Sequence, residues 1–167
     1  MKASVILIEM LVFAGIFTTI IFSALGKKET TASIHNYPPD IQEEYFKTHP
    51  RRDVSAKSNH VILVKSLGLL MFTAILTVCA LLAGANGFLQ GFLLSFGLMC
   101  WIGAYDTFFI DWVLFANLKC FRLPGTEYMD KAYHQKWFHL KGMLFPGLVF
   151  ALIPAAIVGL IVMLMQK

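Results

Sequence analysis

Apolar and polar positions are segregated along this chain into long blocks. Four apolar blocks cover residues 4–25, 61–83, 88–117 and 143–165. Each reaches the ~20 residues that an α-helix needs to cross a hydrocarbon core of about 30 Å. In lipid the backbone must satisfy its own hydrogen bonds, which selects helices for such blocks. The pattern therefore predicts an all-α integral membrane protein, a bundle of four transmembrane helices. Between the second and third blocks, Ala83-Gly84-Ala85-Asn86-Gly87 reads as a tight turn, so these spans are antiparallel neighbours. At 1.5 Å per residue the third block would run about 45 Å, longer than the core, so its last turns project into the head groups. Trp112 fits that level. Pro146 and Pro154 predict bends in the fourth block. Lys2 ahead of the first block invites a signal-peptide reading. Against it, the block exceeds the usual apolar region of ~7–15 residues, Glu9 interrupts it, and no small-x-small site follows, so it is read as a retained span.

Two polar connections, 26–60 and 118–142, join these spans. In the first, Asp40-Ile41-Gln42-Glu43 after Pro38-Pro39 reads as a capping box. It predicts a short helix ending near His49-Pro50, with Ile41, Tyr45 and Phe46 on one side against the membrane surface. In the second, Thr126 after Pro124-Gly125 is the expected N-cap. Met129, Ala132, Tyr133, Trp137 and Leu140 then recur at helical spacing, as an amphipathic interfacial helix requires.

Composition agrees with the pattern. Of 167 residues 57% are hydrophobic and 14% charged, against about 25% charged in soluble domains. One membrane domain over residues 1–167 is expected, with membrane lipids as its surroundings. The formal net charge is +4, and of the 14 Lys and Arg residues all but Lys2, Lys65 and Lys167 lie in the two connections. By the positive-inside rule the connections are cytoplasmic and both termini outside, in a cytoplasmic (inner) membrane. The basic residues flank apolar spans and form no stripe, so nucleic-acid binding is not indicated. Cys79, Cys100 and Cys120 are isolated and show neither zinc nor disulfide spacing.

Candidate chemistry concentrates between Phe88 and Gly142. Asp106 and Asp111 lie inside the third apolar block, where a carboxylate costs about 2.5–3.5 kcal/mol at a helix centre and commonly marks a site. Five residues apart in an α-helix, they would point about 140° apart. Asp106 and Lys65 fall at matching depths on the second and third spans, which predicts an ion pair between them. Glu127, Asp130 and His134 fall at i, i+3 and i+7 and would share one face of the cytoplasmic helix. Such a face could bind a cation, a polar head group or a proton. The competing reading is ordinary helix pairing, Glu127 with Lys131 and Asp130 with His134. Glu9 is expected to snorkel toward the head groups, the alternative being a place in an ion path. Gly147, Ala151, Ala155 and Gly159 form a four-residue ladder of small side chains, as do Gly87, Gly91 and Ser95. Small residues admit close helix approach, either within one chain or in a homo-oligomer.

No phosphate loop, nucleophile elbow or metal motif is present, and no cofactor is indicated. The expectation is a small polytopic protein whose cytoplasmic-side polar site binds a cation, proton or amphiphile head group for transport or sensing. The alternatives are an enzyme acting on a lipid or isoprenoid from the cytoplasmic leaflet, with an Asp or His134 as base, and a structural partner subunit.

Overall fold

The computed structural model describes residues 1–25, 34–51 and 59–165, without the side chains at 25, 59–62, 64 and 65. Every regular element in it is helical: α1 (Ala3–Leu25), α2 (Pro39–Phe46), α3 (Asn59–Leu82), α4 (Gly87–Tyr105), α5 (Asp130–Tyr133), α6 (Lys136–Gly142) and α7 (Leu148–Leu164). Among the described residues three helical stretches, Ala3–Ala24, Gly87–Phe115 and Asp130–Leu164, are long and apolar enough to cross a membrane, and Ser66–Leu82 is a shorter apolar helix. The exposed Leu, Ile, Val and Phe side chains along these helices are the surface a lipid solvent requires.

Close backbone approach organises the bundle. α7 runs antiparallel to α4 and makes the most extensive helix pair, with α3 against both. A Cβ on Gly91, near the start of α4, would lie 3.1 Å from Val162 and 3.2 Å from the Gly159 backbone near the end of α7. A Cβ on Gly159 would lie 2.9 Å from the Phe88 carbonyl oxygen. Ala151, Ala155 and Gly159 are buried within the chain, whereas Gly147 is exposed. Leu76, Ala80, Leu94, Leu98, Val158 and Val162 fill the space between the three helices.

α3 turns into α4 over 83–87, where Gly84 and Gly87 adopt φ values of 74° and 76° that only glycine takes without strain. The start of α1 is tied to this turn, the Lys2 N–H donating to the Ala83 carbonyl at 2.7 Å. Further along, Trp101 Nε1 donates to the Met10 carbonyl at 3.0 Å, and the Thr18 and Tyr105 hydroxyls meet at 2.8 Å. Glu9 does not snorkel: it is 8% exposed, enclosed where α1 meets its neighbours. Its short side chain is about 10 Å from the Lys2 level, beyond reach of that boundary.

A second core lies at the opposite end, where the two connections pack on each other. Ile34, Tyr37, Ile41, Tyr45, Phe115, Phe121, Leu123, Ala132 and Tyr133 bury together. The Tyr37 hydroxyl donates to the Phe121 carbonyl at 3.0 Å, and Gln135 Nε2 donates to Asp40 Oδ2 at 2.7 Å. Ile41 and Tyr45 thus face protein, not a membrane surface. α2 starts with Pro39 in its first turn and Pro38 before it, so Asp40 lies inside the helix and makes no capping box. The single helix expected after Thr126 is also not formed. The Thr126 hydroxyl donates to the Leu123 carbonyl at 2.9 Å and meets the Tyr133 hydroxyl at 2.7 Å, which holds 124–129 as turns. The chain then breaks between α5 and α6, with Gln135 at φ −75°, ψ 71°. Pro146 does bend the fourth apolar block: Phe145 before it is extended, at φ −149°, ψ 119°, because the proline ring excludes the α region from the preceding residue.

Candidate functional site

The site begins with a change of helix type. After Tyr105 the chain continues to Phe115 as a π-helix. Its i→i+5 hydrogen bonds wind the chain more widely than an α-helix, which brings residues five apart closer to one face. The α-helical expectation for Asp106 and Asp111, two different faces, is therefore overturned. Wider winding brings both carboxylates toward one face, and Asp106 lies within electrostatic range of Asp111 and of His139.

His139 comes from α6. The break at Gln135 frees α6 from the direction of α5 and lets it pack along the π-helical segment. Trp112 helps hold it there, its Nε1 donating to the Lys136 carbonyl at 3.2 Å while the Lys136 ammonium lies 5.1 Å from the indole ring. His139 Nδ1 then stands 2.9 Å from Asp111 Oδ2, with the two side chains 6% and 19% exposed. The imidazole is wedged against Phe115 and Phe138, ring centroids 5.2 and 5.1 Å away. With Nδ1 assigned as the donor to Asp111, the second nitrogen Nε2 is an acceptor. Nε2 is buried and has no hydrogen-bond partner among the described residues. A carboxylate that orients an imidazole and leaves its other nitrogen free is an arrangement suited to accepting a proton or an N–H or O–H group.

The aromatic core covers this pair from the connection side. Phe115 touches His139, Tyr37 and Tyr133 at once, with ring centroids 5.2, 5.1 and 5.3 Å away.

The Glu127–Asp130–His134 face is not assembled. Glu127 stands exposed in a turn ahead of α5, so helical spacing no longer relates it to the others. Asp130 bonds Arg122 at 2.8 Å, and His134 Nδ1 lies 2.8 Å from the Asp130 carbonyl and 3.7 Å from its carboxylate. Asp130 is 72% exposed, which limits the strength of both ion pairs. Arg122 is the better-enclosed member: its guanidinium sits 3.9 Å from the Tyr133 ring and donates to the Ala116 carbonyl at 2.8 Å. Lys65 lies in α3, but its side chain is outside the described residues, so its pairing with Asp106 is not addressed. No three His, Cys, Asp or Glu side chains converge for a metal ion among the described residues.

His139 is the residue that sequence reasoning passes over. In an unbroken helix from Thr126 it lies about 140° from His134 and away from Asp130. No Gly or Pro marks the break at Gln135. The one available signal is its setting in Trp137-Phe138-His139-Leu140, a histidine among apolar neighbours at the start of a span.

The chain matches no protein-family model, no curated protein and no solved structure.

Proposed function

We propose that this is a four-span membrane protein whose cytoplasmic mouth binds a hydrogen-bond-donating cation at Asp106, Asp111 and His139, for transport or sensing. In this reading α3 crosses with the three longer stretches, and both connections face the cytoplasm. The cation is a proton in the simplest case and the ammonium head group of an amphiphile otherwise. One observation carries the reading: His139, oriented by Asp111 at 2.9 Å, keeps a buried nitrogen without a donor. Such a nitrogen lacks a favourable interaction worth about 1–3 kcal/mol, and a bound N–H supplies it. Two carboxylates beside it favour a positive ligand.

The test uses the full chain in vesicles loaded with a pH-sensitive dye, together with native mass spectrometry in mild detergent. Wild type is expected to carry protons across or to retain a co-purifying amphiphile. His139→Gln and Asp106→Asn are each expected to lose that behaviour, while Glu127→Gln keeps it. Wild-type behaviour in both His139→Gln and Asp106→Asn sinks the proposal.

A second reading is kept because an aspartate–imidazole pair is also a general base. A membrane enzyme acting on a lipid hydroxyl would convert a co-purifying lipid, where a transporter or sensor returns it unchanged.

A further inference from the structure

Glu9 is the least exposed carboxylate among the described residues, and it lies far from the site just described. It is 8% exposed, and both of its carboxylate oxygens are buried with no hydrogen-bond partner among the described residues. Its level follows from the link between Lys2 and Ala83 at the α3–α4 turn. Seven residues on, at 1.5 Å each, Glu9 is about 10 Å inside that end of the bundle. Its immediate neighbours on α1, Ile6, Met10 and Phe13, pack on the apolar cluster formed by α3, α4 and α7.

The groups able to pair with it are few. From α3, Cys79 is the titratable neighbour within electrostatic range among the described side chains, while Lys65 and His60 of the same helix lie about 20–30 Å nearer its other end. α4 carries no Asp, Glu, Lys, Arg or His between Gly87 and Tyr105, and α7 carries none between Leu148 and Leu164. On α1 itself the remaining charge is at its start, Lys2 and the amino terminus, and Lys2 is exposed. An ionised carboxylate with neither oxygen bonded costs several kcal/mol in such surroundings, far more than a neutral acid. Beside it an apolar groove of about 280 Å³ runs between α1 and α4, lined by Met1, Ile6, Met10, Leu94, Gly97 and Leu98. Ile6 and Met10, which flank Glu9 on α1, form one wall of that groove.

From this enclosure we infer that Glu9 is a proton-binding site in the turn-side half of the membrane, the proton occupying the carboxyl while α1 is docked. Release of the proton places an unpaired negative charge between α1 and its neighbours. Proton occupancy and α1 docking are thereby linked, and the turn-side pH sets both. The site is separate from the Asp111–His139 pair, which packs on Phe115 at the opposite end of the bundle.

Two measurements on the full chain in lipid vesicles test it. The infrared spectrum of wild type minus that of Glu9→Gln at neutral pH should contain a protonated-carboxyl stretch that shifts in heavy water. Dicyclohexylcarbodiimide, an apolar reagent that adds to protonated carboxyl groups, should leave an adduct on Glu9 in peptide mass mapping. That adduct should be lost in Glu9→Gln and persist in His139→Gln. A carboxylate band in place of the protonated one overturns the assignment. So does a wild-type protein whose Glu9 stays unmodified by the apolar reagent. Should Glu9→Gln fail to fold, the adduct on wild type decides alone.

Discussion

At the scale of single residues, charge in this chain is legible by position and illegible by direction. Asp106 and Asp111 stand out in the sequence because carboxylates are expensive inside an apolar block. Their partner His139 does not, because its approach depends on a π-helix and a helix break that hydropathy does not encode. Arg122 shows the same limit: the sequence offers it as one more flanking cation, whereas its side chain is only 10% exposed and stacked on Tyr133. Its exposed partner Asp130 contributes little, as surface ion pairs do. Arg122→Ala is therefore expected to cost about 2–3 kcal/mol through the lost ring and carbonyl contacts. Asp130→Ala should cost under about 1 kcal/mol. Thermal unfolding of both variants in detergent checks this, and equal losses would contradict it. Tyr37 supplies a pH dependence. Burial, with Tyr133 and Cys120 nearby, holds its phenol well above the usual tyrosine range. The folded chain then keeps a proton that the unfolded chain releases near pH ~10. The contribution of Tyr37 is intact below that pH and is lost as the pH climbs above it. Tyr37→Phe should start about 1–2 kcal/mol less stable, having lost the bond to Phe121. It should also show a flatter alkaline decline than wild type in parallel melts. Identical slopes would remove Tyr37 as the cause.

At the scale of elements, the apolar blocks mark where helices lie but leave their winding open. The third block reads as one long helix, and so it is in extent, yet its residues Asp106–Phe115 wind as a π-helix. The second connection shows the converse: apolar spacing holds for Ala132 and Tyr133, which are buried, while Trp137 past the break is 73% exposed. The hydroxyl bonds of Thr126 compete with the helix that its spacing suggests. The small-residue ladders are the best-read feature, since small side chains leave a requirement that packing can test. Gly159, in a ladder, and Gly97, outside both, make the contrast. A Cβ at Gly159 meets backbone at 2.9 Å, whereas a Cβ at Gly97 meets nothing within 4 Å. Gly159→Ala is expected to cost about 1–3 kcal/mol by overpacking. Gly97→Ala should be neutral or stabilising by up to about 1 kcal/mol, because alanine is the better helix former. Thermal melts of the two variants side by side make the comparison, and a tolerated Gly159→Ala would mean that α7 can slide on α4.

At the scale of the whole molecule, residues 34–46 of the first polar connection and 121–135 of the second pack into one body. Hydropathy assigns both to the same side because an even number of crossings separates them. The bonds from Tyr37 to Phe121 and from Gln135 to Asp40 join them directly, an independent reason to place them on one side. What the sequence leaves hidden is that their apolar residues face each other: Ile41 and Tyr133 are each at least 99% buried, and neither faces a membrane surface. A periodic apolar face states that something covers it without stating what. The shared location makes the orientation testable with a native side chain. Cys120 is exposed at the connection end, whereas Cys79 is buried in the bundle and Cys100 is half-buried. In the proposed orientation, with the connections cytoplasmic, a membrane-impermeant maleimide should leave Cys120 unmodified in intact cells. The same reagent should modify it after the membrane is opened. Cysteines placed at Arg51 and Lys131, both exposed, should follow the same pattern in a Cys120→Ser background. Labelling of all three from outside would reverse the orientation and move the Asp111–His139 pair to the outer mouth. Labelling of Arg51 and Lys131 from opposite sides would instead break the shared core, because residues of one aqueous-facing cluster cannot lie across the bilayer from each other.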